Sequence, residues 1–568
     1  MQSIDYSLMN KQMLINLVIE QAEHINNLSE KLDTVTEELS VTTKELDKAL
    51  LLAGQYAETI ATLNFQIFGV SSEKRRKGFA GPIPDNTLNE PEALADPNAE
   101  EPTIDEVTKP RNRGEKKVGK REEDFKNYPV VEVLHDYKGE HSECEECGGN
   151  LRYIATETRD ELVVIPETIF IRRHLTPAYA CDCCEKENDK ASIHKADTPK
   201  AVIPNSGIAS PSLIAYIAFR KYFMGLPLYR QEKEFKLMNM PISRQNMSNW
   251  MIYASVRYFK DIFDIMHYDL LQSEIIHCDE TPVKVLKEPN RKGKTKNSKS
   301  YFWLFRTGRA EPNPIVLYKY SPSRAHDIPE EFLKGFNNYA HVDGYEAYHL
   351  IKGINWVGCW AHVRRKFMDA YKLIPPKDRG KTPLTLCEVG LEYIDKLFSI
   401  EKEISELSYD KVFDKRNEFS LPVMDEFFTW VDMNLETVTS GSRVGIALTY
   451  ASNQKMFLKK FLLDGRLELS NNRAERSIRP VAIGRKNWMF ADTDNGADAS
   501  TILYSLILSS VENSLDPFKY IEFVLDELSQ IPQEERTEDI LRNYLPYSEH
   551  ILSNCKPTIP ASSNTEVT

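Results

Sequence analysis

Apolar residues recur at heptad spacing over roughly residues 8–66. With Val18 at position a, Ile25, Leu32, Leu39 and Leu46 follow at a, while Gln21, Leu28, Val35, Thr42 and Ala49 fall at d. About four proline-free heptads predict a long helix that pairs as a coiled coil, and hence a homo-oligomer. Gln21 and Thr42 weaken the seam, and a helix packed on its own domain is the plainer alternative. The pattern stops over 78–123, which is rich in Pro, Glu and Asp. This stretch cannot bury enough apolar surface to offset its ordering entropy, and it reads as a linker. Its second half carries Lys109, Arg111, Arg113, Lys116, Lys117, Lys120 and Arg121, either a phosphate-binding stretch or a solvated tail.

Helical patterning resumes over 208–256. Leu228 to Met238 reads as one helix, with Ser243 capping a second that begins Arg244-Gln245-Asn246. Two short helices joined this way predict a helix-turn-helix whose Arg244, Gln245 and Asn246 suit base edges, or else a plain helical hairpin. Further on, three apolar, aromatic and β-branched runs, 274–286, 301–305 and 315–318, are separated by turn signals and predict a β-meander. A helix over Ile328–Phe336 follows, then a strand ending at His341-Val342-Asp343, a strand over Ile354–Cys359 and a basic helix from Ala361. Strand, strand, strand, helix, strand, strand, helix is the order of an RNase H-like fold.

That order places Asp279 on the first strand and Asp343 at the end of the fourth, on neighbouring strands of one sheet. A helix starting near Asn472 brings Glu475. Three carboxylates are a donor set for hard divalent cations. Singly, each acid has a local explanation: an Asx-turn for Asp279, a hairpin turn for Asp343-Gly344, a capping box for Asn472 and Glu475. Jointly they predict a site. His341 and His362 stand close enough in sequence to assist or to be structural. Arg364, Arg365, Lys366, Arg473, Arg476, Arg479, Arg485 and Lys486 are candidates for clamping phosphates, or a solvated basic face.

A separate chemistry is carried by Cys144-x-x-Cys147-Gly-Gly and Cys181-x-Cys183-Cys184. Two knuckles of this spacing can set four thiolates around Zn²⁺, with Cys184 keeping the two-residue gap and strand-like runs 162–165 and 168–171 between them. The result would be a zinc-ribbon-like module.

Composition narrows the class without choosing the function. The 568 residues are 41% apolar and 28% charged, with nine cysteines and a net charge of −13. That excludes a disordered polymer and a disulfide scaffold, and the odd cysteine count fits a reducing compartment. No apolar run is long enough to span a bilayer, and the first residues do not read as a secretory signal. A cytoplasmic, nucleoid-associated protein without membrane contact is expected. The negative total conceals basic segments: eight carboxylates lie in 81–108, and seven basic residues in 109–121.

Four motifs together resemble the transposases of the insertion sequence 66 family: His277-Cys278-Asp279-Glu280-Thr281-Pro282; Val342-Asp343-Gly344-Tyr345-Glu346-Ala347-Tyr348; Gly358-Cys359-Trp360-Ala361-His362-Val363-Arg364-Arg365-Lys366-Phe367; and Asn471-Asn472-Arg473-Ala474-Glu475-Arg476-Ser477-Ile478-Arg479-Pro480. Phe68–Lys74, the cysteine module and Tyr504–Phe518 extend the similarity over most of the chain, with Ser509-Ser510-Val511-Glu512 departing from the usual pattern. The resemblance implies a DDE triad at Asp279, Asp343 and Glu475, two Mg²⁺ ions with Mn²⁺ as a substitute, and structural Zn²⁺ on Cys144, Cys147, Cys181 and Cys184. Its implied activity is cleavage of element ends and joining of the 3′ ends to target DNA. It also points to two small accessory proteins of the same element as partners.

The expected architecture is multidomain α+β: a coiled-coil region (1–77), a linker (78–123), a zinc module (124–205), a helix-turn-helix-like region (206–270), an RNase H-like core (271–367 and 466–495) split by a helical insertion (368–465), and C-terminal helices (496–568). The competing readings are an RNase H-like nuclease or resolvase that cuts without joining, and a non-enzymatic, zinc-containing DNA-binding regulator.

Overall fold

The computed structural model describes residues 11–68, 169–172, 178–181, 192–195, 199–204, 206, 208–240, 242–288, 299–375, 379–380 and 384–557, with backbone alone over 46–68, 178–181 and 192–195. These form a multidomain α+β protein. Two compact units divide the chain, one drawn from Met1–Ala95 and Met266–Thr501, the other from Asp96–Ile265 and Ile502–Thr568.

The first helix, α1 (Lys11–Phe68), is a single uninterrupted rod. Its heptad residues Val18, Ile25, Leu28, Leu32, Val35 and Leu39 are exposed, Leu32 by 67%. Thr42, which weakens the seam on paper, donates its hydroxyl to Glu38 O at 2.7 Å. Its polar atom is therefore satisfied within the helix, and its methyl can face an apolar partner.

Two of the described strands lie near the cysteines, β1 (Ala178–Cys181) and β2 (Ser192–Lys195), paired antiparallel with Cys181 opposite Ser192. The strand expected over 168–171 is not formed at Ile169–Ile171, where the chain is irregular and exposed. Cys144, Cys147 and Cys184 lie outside the described residues.

In the same unit, α2 (Pro211–Tyr222) begins with Ser210 accepting from Leu213 N and proline in its first turn, a well-formed N-terminus. Next come α3 (Leu228–Leu237) and α4 (Arg244–Ala254), joined by a turn in which Asn239 takes φ 59°. Ser243 caps α4 by accepting from Asn246 N at 3.1 Å. Met247, Trp250 and Met251 are buried, while Arg244, Gln245 and Asn246 are exposed on the first turn.

The other unit is built on a five-stranded mixed sheet. Strand β3 (Ile275–Val283) is followed by the short β4 (Val285–Lys287), then β5 (Ser300–Thr307) and β6 (Val316–Ser321). Strands β7 (Tyr339–His341) and β8 (Asn355–Val357) complete the sheet, in the order β6-β5-β3-β7-β8. The first three strands pair antiparallel; β7 and β8 run parallel to β3. The expected meander is present. Two details differ from expectation: the helix after β6 is shorter, Asp327–Phe332, and β7 ends at His341, so Asp343 sits just beyond the strand.

After β8 comes α5 (Trp360–Tyr371), then a run of helices that includes α6 (Leu386–Ile404), α7 (Leu421–Leu435) and α8 (Arg443–Leu458). Trp360, Val363, Phe367, Ile394, Phe427, Phe428 and Leu448 form one buried cluster reaching Ile275 and Val357 of the sheet. Burial of each large apolar side chain there stabilises by roughly 1.5–3 kcal/mol. Trp360 also donates its indole N–H to Leu458 O at 3.1 Å. The helical run is thus welded to α5 and to the parallel edge of the sheet. The chain then returns as α9 (Asn472–Trp488) and adds β9 (Ala491–Thr493), which pairs parallel with β4.

Candidate active site

Strand register brings the two aspartates together. His277 of β3 stands opposite His341 of β7, and their imidazoles stack with centroids 4.4 Å apart at 9°. Side chains two residues apart share a face of a strand. Asp279 therefore follows His277 on the same face, and Asp343 leaves the end of β7 beside it. Each has one carboxylate oxygen held by backbone: Asp279 Oδ1 accepts from Glu280 N at 2.8 Å, and Asp343 Oδ1 from Tyr345 N at 2.9 Å. The local turn bonds and the convergence coexist. Gly344 follows Asp343 because a Cβ there would lie 2.6 Å from the Tyr450 ring.

Glu475 reaches this face from α9, whose N-terminus is bolted to β3. Asn471 donates to Cys278 O at 2.8 Å, pairs with His277 Nδ1 at 2.9 Å, and its backbone N–H meets Cys359 Sγ at 3.1 Å. Glu475 lies one turn further, its N–H donating to Asn471 O. Arg306 donates to Ser477 Oγ at 2.6 Å, fixing the next turn to β5. The Glu475 carboxylate does not cap its helix. It faces Arg365, at 3.1 and 3.2 Å, and His362, at 3.7 Å.

The electrostatics record the convergence. Asp279 is half-buried, and desolvation first, then the charges of Glu280, Asp343 and Glu475, push its pKa well above the carboxylate range. His362 is pushed down by burial and by Arg365, partly offset by Glu475 and Asp343. Among the described residues no three His, Cys, Asp or Glu side chains stand in one ready-made ion cage. Even so, Asp279 with Asp343 and Glu475, whose charges act on it, offers oxygen donors of the kind that hard divalent cations take.

Beneath the aspartates, His277 Nε2 lies 2.8 Å from Glu468 Oε2, and His341 Nε2 accepts from Glu468 N at 3.2 Å. Burial alone would raise the pKa of Glu468, but His277 and Arg473 outweigh it and hold the carboxylate well below its ordinary range. His341 is thus a buried strut, its pKa driven down by desolvation and His277.

On the opposite face, Glu280 is bound by Arg324 through Nε at 2.8 Å and by the Tyr348 hydroxyl at 2.8 Å. Arg324 stacks 3.7 Å above the Tyr345 ring and accepts from the Tyr345 hydroxyl through its carbonyl. This network ties the Asp279 strand to the loop carrying Asp343. Burial and Asp343 raise the Glu280 pKa, against Arg324 and Tyr348. Arg324→Gln is expected to cost roughly 2–3 kcal/mol, measured by chemical denaturation, because it strands a carboxylate that is only 3% exposed. The figure is held down by the partial exposure of the guanidinium.

The basic residues divide by partner. Arg364 pairs with Asp395 at 2.6 Å, Arg473 with Glu468 at 3.0 Å, and Arg485 donates to Thr281 Oγ1 at 2.7 Å. Lys366 lies over the Tyr450 ring, while Arg476 and Lys486 are exposed and Arg479 is half-buried. Sequence reasoning assigned no role to Glu280, Arg324, Tyr348, Glu468 or Asn471. For Glu280, Tyr348 and Asn471 the available signal was their place in the motifs that carry the acids; Arg324 and Glu468 lie outside those motifs.

A profile described as "Transposase IS66 family" matches residues 206–499, and one described as "zinc-finger binding domain of transposase IS66" matches 141–185. The first spans more than half of the chain and encloses all three acids; the second encloses the four cysteines. Among relatives, "Uncharacterized protein y4hP" of Sinorhizobium fredii is 27% identical over 405 residues, 68% of this chain and 71% of its own. "Uncharacterized protein y4jD" of the same organism is 29% identical over 414 residues, 71% and 77% of the two chains. The chain belongs to the IS66 family of transposases, with the family's zinc-finger domain before the core.

Proposed function

We propose that this transposase is of the DDE type, with an RNase H-like core in which Asp279, Asp343 and Glu475 hold two Mg²⁺ ions, or Mn²⁺ in their place. The observation that carries the reading is the single face on which β3, the end of the parallel β7 and a crossing helix present acids whose charges act on one another. A bound pair of divalent ions supplies charge neutralisation and an activated oxygen nucleophile at a phosphodiester. The chain's own part is positional. The His277–Glu468–Asn471 set fixes the helix bearing Glu475 against β3, and the Glu280–Arg324–Tyr348 set fixes the spacing of the two aspartates. Arg476 and Lys486 are exposed along the same helix and are suited to phosphates of the strand being cut.

The reaction proposed is cleavage at the ends of the element followed by joining of the 3′ ends to target DNA. Incubation of the protein with labelled end DNA and Mg²⁺ tests it: nicked ends and joined products are expected, both abolished by EDTA. Nicks without joined products would leave only the nuclease reading. A purely DNA-binding regulator gives no reason for a cluster of desolvated like charges, which lowers stability when no cation is held.

Two further parts belong to the proposal. The exposed seam of α1 pairs with a second copy, so light scattering should return more than one chain per particle, and a single-chain mass would remove this part. Arg244, Gln245 and Asn246 on α4 read element DNA. The cysteines Cys144, Cys147, Cys181 and Cys184 hold a structural Zn²⁺. Cys144→Ser is expected to remove about one zinc per chain by elemental analysis and to unfold the module, since structural zinc sites fold on binding.

A further inference from the structure

The loop that carries Asp343 runs from the end of β7 to β8, and along its course it lies against a helix of the insertion. Tyr450 of α8 takes the Gly344 N–H on its hydroxyl oxygen. Gln454 approaches the His349 imidazole, and Phe457 stacks on that imidazole with centroids 3.8 Å apart at 11°. Positions 450, 454 and 457 are spaced four and three apart, so they share one face of the helix. The same end of α8 closes on β8: Phe457 O accepts from Gly358 N at 3.0 Å, and a Cβ on Gly358 would lie 3.1 Å from Leu458 N. The helix is itself anchored in the core by Val444, Ala447, Leu448 and Ala451. Lys366 Nζ lies 5.6 Å from the centroid of the Tyr450 ring.

The Gly344 N–H belongs to the peptide plane that follows Asp343, so whatever accepts from it fixes ψ of Asp343. The next N–H, that of Tyr345, donates to Asp343 Oδ1 at 2.9 Å. One donor of the turn is thus used by the carboxylate itself and the other by a residue of the insertion. We propose that Tyr450 is the positioning residue of Asp343, and that the helical insertion takes part in the chemistry through it. This rests on the reading of Asp343 as a metal ligand and deepens it by naming what aims the carboxylate. Burial first, then Cys359 and Asp343, raise the pKa of Tyr450, so the phenol stays neutral and adds no charge to the acids. Phenylalanine at 450 would keep the ring but present no acceptor to the Gly344 N–H. The peptide after Asp343 could then rotate, and the carboxylate would sample directions away from Asp279 and Glu475. Supports of this kind behind a metal ligand govern affinity by about ten- to a hundredfold.

The test is Mn²⁺ binding to the full chain by isothermal calorimetry, paired with denaturant titration of the metal-free protein. Tyr450→Phe should weaken Mn²⁺ binding about tenfold and leave the denaturation midpoint near the native value. Leu448→Ala, which opens a cavity in the core cluster on the same helix, should do the converse, lowering the midpoint and keeping native Mn²⁺ affinity. Native affinity in Tyr450→Phe overturns the proposal, provided Asp343→Asn abolishes Mn²⁺ binding. An equal loss of affinity in Leu448→Ala, or a midpoint for Tyr450→Phe as low as that of Leu448→Ala, overturns it too, because the effect is then a general loosening of the insertion. Native-like binding by Asp343→Asn would instead overturn the metal-site reading beneath it.

Discussion

Asp279→Asn should lower strand cleavage at element ends by at least about 10²–10³-fold while the metal-free protein becomes more stable. The two effects have one origin. Asp279 is half-buried in the middle of β3, with Glu280, Asp343 and Glu475 close enough to act on its charge. Its ionised form is therefore disfavoured in the fold unless a cation is present. Asparagine keeps the oxygen that accepts from Glu280 N and removes the charge, relieving the repulsion along with any means of holding the ion. The pH dependence follows in sign. An acid whose pKa is raised on folding destabilises the folded state above that raised value, and the cost is withdrawn as pH falls through it. In the metal-free protein the Asp279 contribution thus improves as pH drops from neutral toward the ordinary carboxylate range, and Asp279→Asn should flatten that part of the profile. Melting curves with and without Mg²⁺ supply the check. The ion should raise the native midpoint and leave that of Asp279→Asn in place. Cleavage at the native rate by this variant would reject the site.

These acids were legible in the sequence because each sits at a place where chain geometry is nearly forced. A period of two puts His277 and Asp279 on one face of a strand, and the end of a neighbouring strand delivers Asp343 to the same edge. Glu475, three residues after Asn472 at the head of a basic helix, was equally open to a local reading as a cap. Only its approach to Arg365 and His362 separates the two. What escaped the sequence is the support. Glu280 finds Arg324 across 44 residues of chain, and nothing in either segment marks the other as its partner, since ion pairs carry no periodicity. His341, open to either role, proves a strut because its ring nitrogen is taken by the backbone of Glu468. The basic set thinned for the same reason: Arg364, Arg473 and Arg485 have protein partners that only the fold supplies.

The helical stretch between α5 and α9 showed no motif, yet it holds the residue whose loss is expected to damage the fold most. Arg416 is fully buried. Its guanidinium pairs with both oxygens of Glu401 at 2.7 Å and donates to Phe461 O, Asp464 O and Leu467 O at 2.9, 3.0 and 2.8 Å. Every contact is with α6 or with the segment that runs into Glu468, Asn471 and α9. Arg416→Ala would leave a mostly buried carboxylate and three carbonyls without their donor, at a cost of about 3–5 kcal/mol. The loss should also reach the chemistry. A shift of Leu467 is transmitted within a few residues to Glu468, which holds His277 and Arg473, and to Asn471, which sets where Glu475 emerges. A displacement of about 1 Å at the third carboxylate is enough to lower cleavage by about 10²-fold. Denaturant titration measures the first effect, and end cleavage at saturating Mg²⁺ the second. Replacing both partners, Arg416→Met with Glu401→Leu, should recover part of the stability because no charge is then stranded, but not the cleavage rate, because the carbonyls of the 461–467 segment still lack the donor that shapes it. A native midpoint for Arg416→Ala would show that this segment is held by apolar packing alone.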